Sequence, residues 1–194
     1  MTSSTGLIIL AAGTSSRLGR PKQLLEYKGR PLLQHAIDIA VQFEWEASVL
    51  VLGANAAQIE EKINPKSLDL IMNENWKEGI ASSIRSGLSY LLEKRPDLQH
   101  VLFLLSDQPY LSIEVVRELL TKHEKTLAIT ACKYQDQIGV PVVFSKDFFE
   151  ELRHLEGDQG AKKIVMKNMD VVSTVPFDGG EVDVDTDEDY RKLR

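Results

Sequence analysis

Short aliphatic runs and helical stripes alternate along this chain of 194 residues. Leu7-Ile8-Ile9-Leu10 ends abruptly in small residues, the pattern of a buried strand. Pro31–Phe43 follows, with apolar residues at Leu32, Leu33, Ala36, Ile37, Ala40 and Val41. That spacing is a helical stripe, and Pro31 suits its first turn. Ala47–Leu52 predicts a second strand, Ala56–Ile63 a short helix stopped before Pro65, and Leu68–Met72 a third strand. Ile80–Leu92 is helical, with Ile84, Leu88, Leu91 and Leu92 on one face. Val101–Leu105 is apolar throughout, as in a central parallel strand.

Beyond this point the rhythm loosens. Ser112 caps a helix over Ile113–His123, and Leu127–Cys132 and Val140–Phe144 predict strands. Lys146–His154 reads as a short helix, broken by Gly157-Asp158-Gln159-Gly160. Ala161–Met166 predicts a helix, Asp170–Val175 a strand, and Thr186 caps a last helix. Continuous strand–helix alternation implies an α/β fold of three layers around a mostly parallel sheet. With no repeat, low-complexity tract or linker, residues 1–194 are expected to form one domain. Such sheets bind ligands beyond the carboxyl ends of their strands. The loops after Leu10, Leu105 and Val182 are therefore expected on one rim.

Composition narrows the function. Hydrophobic residues make up 43% and charged residues 27%, as in an ordinary globular protein. The net charge of −6 argues against a nucleic-acid partner, which calls for a basic face. The one cysteine, Cys132, lies in an apolar strand pattern, so a buried thiol in a reducing, cytoplasmic setting is expected. No apolar run approaches a membrane span, and the amino terminus lacks the charge of a secretory leader.

The chemistry concentrates after the first strand. Leu10-Ala11-Ala12-Gly13-Thr14-Ser15-Ser16-Arg17-Leu18-Gly19-Arg20-Pro21-Lys22 combines two glycines with three cations, of which Arg17 and Lys22 stand five positions apart. A glycine-containing loop lets successive N–H groups approach an anion, and Arg17 and Lys22 add full charges. A polyphosphate fits such a loop. Neither G-x-x-x-x-G-K-[ST] nor G-x-G-x-x-G occurs, so the signatures of P-loop and dinucleotide-binding proteins are missing.

Further candidates follow the other strands. Asp107, in Ser106-Asp107-Gln108-Pro109, is placed to ligate a hard metal or to support the turn. Asp183 and Asp185 would face one side if a strand runs through Val182–Asp185. Asn73-Glu74-Asn75-Trp76-Lys77-Glu78-Gly79 leads into a helix start with Ser82 and Ser83, as ligand contacts or as local caps. Gly157-Asp158-Gln159-Gly160 reads equally as a loop or a binding turn. The four histidines show no ligand spacing.

The loop resembles the L-A-[AG]-G-x-S-x-R-[LM]-G-x-x-K motif of the MobA-like nucleotidyltransferases at every position. Four later segments are similar in the same order. They are Asn73–Ile84, Asp107-Gln108-Pro109, Gly157–Lys162 and Asp183–Tyr190, the last with Asp187 where the family usually has proline. Gly139-Val140-Pro141 also resembles a family turn. Leu10-Ala11-Ala12-Gly13 and Asp107-Gln108-Pro109 together resemble the molybdenum cofactor cytidylyltransferase (MocA-like) branch.

The resemblance implies a three-layer Rossmann-like nucleotidyltransferase fold. It further implies nucleotide binding by Leu10, Ala11, Ala12, Gly13, Ser15, Arg17, Lys22, Ser82 and Ser83. Arg17, Lys22 and Asp107 are the implied catalytic residues, with Mg2+ on Asp107 and Asp185. Asp158, Gly160 and Asp183 fall on the implied acceptor side. The implied substrates are CTP and molybdopterin, with an apo-molybdoenzyme of the xanthine dehydrogenase kind as recipient. Transfer to a sugar phosphate or an isoprenoid-pathway phosphate stays open, as does a non-catalytic role in delivering the cofactor.

Overall fold

The computed structural model describes residues 4–126 and 128–193. In chain order, β1 spans Thr5–Ala11, β2 Glu26–Tyr27, β3 Arg30–Pro31, α1 Leu32–Ala40, β4 Ala47–Leu52, α2 Ala56–Glu60 and β5 Asp69–Met72. There follow α3 over Ile80–Lys94, β6 over His100–Leu105, α4 over Ile113–Thr126, β7 over Ile129–Tyr134 and β8 over Gln137–Ser145. The chain closes with α5 over Phe149–Arg153, α6 over Lys162–Lys167, β9 over Val172–Pro176 and α7 over Asp187–Lys192. Leu127, the start of one expected strand, lies outside the described residues.

Seven strands form one sheet in the order β5-β4-β1-β6-β8-β7-β9. β5, β4, β1 and β6 are parallel, and β8 runs antiparallel to β6 and β7 on either side of it. The sheet is thus mixed but mostly parallel, as the alternation predicts.

Period-two alternation along β1 divides the core. Leu7, Ile9 and Ala11 pack with Leu33 and Ile37 of α1, Ile59 of α2 and Leu119 of α4. Ile8 and Leu10 pack on the opposite face with Ile84, Leu88 and Leu91 of α3, Leu152 of α5 and Val165 of α6. Helices therefore cover both faces, which is why Leu7–Ala11 of β1 and Val101–Leu105 of β6 are apolar throughout. α3 lies close on the sheet because Gly87 has no side chain; a Cβ there would stand 2.8 Å from Ile8 Cγ2. Cys132 is fully buried, and burial pushes its thiol pKa up.

A third, smaller apolar cluster lies at the rim. Leu18 and Leu25 from the first loop meet Tyr27, Leu32, Val184 and Tyr190. Tyr190 Oη donates to the Glu26 carbonyl at 2.9 Å. This cluster draws the chain's carboxyl-terminal segment back across the start of the chain. Residues 182–185 are not a strand, so the condition under which Asp183 and Asp185 would face one side is not met. Val184, fully buried between them, anchors the segment.

Candidate active site

The loop after β1 holds its shape through a residue with no obvious sequence signal. Gln23 is 1% exposed, and its Nε2 donates to the carbonyls of Ala11 at 2.9 Å and Gly13 at 3.1 Å. Ser15 donates to Gln23 Oε1, while the Lys22 N–H donates to Ser15 Oγ at 2.9 Å. With two loop carbonyls occupied by Gln23, the loop's edge can serve an anion. Gly13 is open to solvent, and a Cβ there would meet nothing. In sequence, a lone glutamine after Lys22 reads as a solvated loop residue.

Lys22 lies where three chain segments meet. Its Nζ is 2.5 Å from Asp107 Oδ2, after β6, and 2.8 Å from Asp185 Oδ1, before α7. Arg17 Nη2 takes the other oxygen of Asp185 at 2.6 Å. The carboxylates of Asp107 and Asp185 are therefore no farther apart than two ion-pair lengths, although 78 positions separate them in the chain. Burial works against the Lys22 charge, but the two carboxylates outweigh it and hold its pKa above the ordinary lysine value. Burial likewise raises Asp185, and Lys22 and Arg17 overcome that and hold its pKa low. Asp183 is different: burial, then the nearby Asp107 charge, pushes its pKa up to about 6.

Thr186 caps α7 as expected. Its Oγ1 accepts from the Asp189 N–H, and Asp189 Oδ2 accepts from the Thr186 N–H, a capping box. That cap fixes where the helix begins and so sets the direction of Asp185 immediately before it.

A cleft of about 460 Å³ opens beside this ion-pair group. Leu10–Thr14, Lys22, Gln23 and Asp107 form one wall; Trp76, Lys77, Gly79, Ile80, Ser83 and Asp158 form the other. Asn73, 4% exposed, donates from Nδ2 to both Ser82 Oγ and Ser83 Oγ. Ser82 Oγ also donates to the Gly79 carbonyl at 2.8 Å. Ser83 lines the cleft, whereas Ser82 acts locally at the helix start. Trp76 and Lys77 also form this wall; an aromatic inside a polar loop is their signal in the sequence. Gly53 packs behind Ala12 and Trp76, where a Cβ would stand within 2.8 Å of each Cβ.

A second cavity of about 290 Å³ adjoins the first and shares Leu10, Ile80 and Leu105 with it. Its walls are Ile84, Phe103, Val140 and Tyr134, with Gly160 and Asp183 at its edge. Gln108 Nε2 donates to the Val140 carbonyl at 2.9 Å and reaches the Gly180 carbonyl at 3.5 Å. Gln108 thereby ties the Asp107 loop to β8 and to the segment leading to Asp183. Asp158 lines the first cleft and not the second, so it is separate from Gly160 and Asp183, with which it is expected to share the acceptor side.

Among the described residues no group of three or more His, Cys, Asp or Glu side chains is arranged to hold a metal by itself. Asp107 and Asp185 are a two-carboxylate set. Such a set fits a hard divalent ion that takes its remaining ligands from water and phosphate. Also among the described residues, no helix is long and apolar enough to cross a membrane.

A mostly parallel sheet with an open glycine loop, two cations and two convergent carboxylates on its rim is the arrangement of a nucleotide-handling α/β domain. Residues 7–172 match the model of the MobA-like NTP transferase domain, and the chain belongs to this family of nucleotidyltransferases. Within the family it stands with the MocA-like branch. It is 31% identical over 198 residues to "Nicotine blue oxidoreductase" of Paenarthrobacter nicotinovorans, covering 96% of this chain and 94% of that one. It superposes on the crystal structure of Rv0371c from Mycobacterium tuberculosis H37Rv with a TM-score of 0.88 and 33% identity. That match covers 100% of this chain and 98% of the other. The Rv0371c complex with manganese from the same organism matches with a TM-score of 0.83 and 31% identity, covering 98% of each chain.

Proposed function

We propose that this protein transfers CMP from CTP to the phosphate of a molybdopterin-type acceptor and releases pyrophosphate. The observation that carries the reading is the convergence of Lys22 on Asp107 and Asp185 beside the loop after β1. A phosphate oxygen of the acceptor attacks the α-phosphorus of the triphosphate, and the bond to the pyrophosphate oxygen breaks. The attacking oxygen is already anionic, so no strong general base is needed. Rate then depends on positioning and on neutralising charge at the transferring group.

In this scheme Lys22 and Arg17 turn toward the triphosphate, and N–H groups around Gly13 and Ser15 hold its oxygens. Asp107 and Asp185 hold a divalent cation, Mg2+, which supplies charge neutralisation at the α-phosphate. A manganese complex of the similar Rv0371c supports a divalent ion. The larger cleft takes the nucleotide, with Ala12, Trp76 and Ser83 near the base and ribose. The smaller, more apolar cavity takes the acceptor, with Gly160 and Asp183 at its entrance. Asp158 then belongs to the nucleotide side. The product passes to an apo-molybdoenzyme of the xanthine dehydrogenase kind, and the whole chain works as one domain.

The relative named an oxidoreductase motivates a second reading, hydride transfer with a nicotinamide cofactor. The absence of G-x-G-x-x-G and the pairing of two cations with two carboxylates favour nucleotidyl transfer. Pyrophosphate release, measured for the four nucleoside triphosphates with molybdopterin, a sugar phosphate or an isoprenoid-pathway phosphate, tests the reading. Turnover with CTP and molybdopterin is expected. Preference for another nucleotide or acceptor overturns the assignment within the class. Oxidation of NADH without pyrophosphate release overturns the class. Binding of the pterin with no turnover leaves the delivery role in its place.

A further inference from the structure

We infer that Lys22 is an exchangeable counter-ion, which leaves Asp107 and Asp185 when a nucleotide binds and so couples metal binding to nucleotide binding. The inference rests on the reading that these two carboxylates hold the divalent ion. It begins from how they are occupied. Lys22 Nζ contacts Asp107 Oδ2 at 2.5 Å and Asp185 Oδ1 at 2.8 Å, and Arg17 Nη2 contacts Asp185 Oδ2 at 2.6 Å. Both oxygens of Asp185 and one of Asp107 are thus committed to cations. The Lys22 and Asp107 side chains are only 18% and 11% exposed, so water screens this pair weakly.

A divalent ion on the same carboxylates would lie within an ion-pair length or two of the Lys22 ammonium. Two like charges that close, in a partly desolvated site, repel strongly. The ammonium must therefore move before the ion binds tightly. Lysine suits this role, because its charge is a compact group on a flexible four-carbon stem. Lys22 also lines the cleft beside Gly13 and Thr14, so a short swing carries Nζ from the carboxylates to a triphosphate there. Arg17, with a side chain 68% exposed, is free to make the same move from Asp185.

The charge balance gives direction to the exchange. Without a nucleotide, Lys22 and Arg17 offset Asp107 and Asp185, with the Asp183 carboxyl close by. A divalent ion alone leaves the group with excess positive charge. A triphosphate alone adds more negative charge than the two cations carry. Bound together they offset each other, so each raises the affinity for the other. Linkage requires that effect to be reciprocal. The free protein should hold the ion weakly, and the exchange should favour entry of metal and nucleotide together.

The test measures Mn2+ binding by the full chain, from the free-ion electron paramagnetic resonance signal. It uses the wild type, Lys22→Met, Lys22→Arg, and Lys22→Met combined with Asp107→Asn. Each is titrated alone and with CTP carrying a methylene bridge between the α and β phosphates. Removing the ammonium should tighten Mn2+ binding without nucleotide by about tenfold or more. Lys22→Arg should stay near wild type, because it keeps a cation on the carboxylates. The gain from the CTP analogue should shrink in Lys22→Met. If Lys22→Met binds Mn2+ no more tightly, and the added Asp107→Asn still abolishes binding, the exchange is wrong while the metal assignment stands. If Asp107→Asn leaves binding unaltered in that background, the metal assignment fails and takes the exchange with it. Should Lys22→Met not fold, wild type alone decides. A gain from the analogue no larger than its own chelation of Mn2+ overturns the exchange, and a larger gain supports it.

Discussion

The backbone of Gly79 rests directly against that of Gly157: a Cβ built on Gly79 would stand 2.3 Å from the Gly157 carbonyl oxygen. That same carbonyl accepts the Ala81 N–H at 3.1 Å, so it serves the start of α3. Gly79 has φ +99°, a region that side chains disfavour. Gly79→Ala therefore combines backbone strain with a collision against backbone atoms. We expect a loss of about 1–3 kcal/mol of stability and a raised KM for the nucleotide, because Gly79 and Asp158 line the same cleft wall. Denaturant unfolding and steady-state kinetics check the two effects. Unchanged values for both would mean that the two loops separate freely.

Gln23 and Arg17 should respond oppositely to mutation. Gln23→Leu leaves the Ala11 and Gly13 carbonyls without their donor inside the protein, which costs about 1–3 kcal/mol. Activity falls with it as the loop relaxes. Arg17→Ala removes an exposed side chain, so stability should hardly change. Its kcat should still fall by about 10²–10³ if the charge acts on the transition state. A rise in KM alone would show that Arg17 contributes uniform binding.

Asp107→Asn should keep the fold and lose most turnover. The amide preserves shape, and Lys22 retains Asp185 as a partner. Titrating activity against Mg2+ separates the causes. A shift of the activation curve to higher Mg2+ identifies Asp107 as a ligand, whereas near-wild-type turnover at limiting Mg2+ removes it from the metal site.

Ala12 bears on nucleotide choice. It lines the cleft and is 6% exposed, packed against Gly53. Ala12→Gly enlarges the site by one methyl, worth about 1–3 kcal/mol of discrimination at most. A partial loss of preference for CTP over GTP is expected in direct competition. An unchanged ratio would shift attention to Trp76 and Ser83 on the facing wall.

Acid should weaken the fold through His123, far from the site. The residue is 3% exposed, with Nδ1 against Thr130 Oγ1 and Nε2 against His100 Nδ1 at 3.0 Å. Burial, aided by His100, lowers its pKa from 6.5 to about 4. Above the unfolded value both states are neutral and the fold is unaffected. As pH falls from about 6.5 to 4, the unfolded chain takes up a proton that the folded chain refuses. Stability on the order of 2–3 kcal/mol is lost across that window. His123→Gln should flatten the dependence of unfolding free energy on pH there; an equal slope in both proteins would assign the effect to other groups.

Local pattern carried much of this protein. Period-two and helical spacing placed the strands and helices of the seven-stranded sheet but not the β2–β3 hairpin, because burial on two sheet faces imposes that pattern directly and a short rim hairpin does not. The first loop with Arg17 and Lys22, and Asp107 after β6, were legible for the same reason: each follows an unmistakable apolar strand. Tertiary structure decided the rest. Residues 182–185 are extended coil held by Val184, since a small rim cluster and not a strand partner anchors them. Gln23 and Gln108 matter through carbonyls distant from any motif, and a glutamine's sequence surroundings do not reveal which backbone it will meet. Asp158 lines the larger cleft, away from Gly160 and Asp183, because its loop packs against Gly79. The pairing of Lys22 with both Asp107 and Asp185 spans most of the chain, and ion pairs follow distance in space, which only the folded sheet determines.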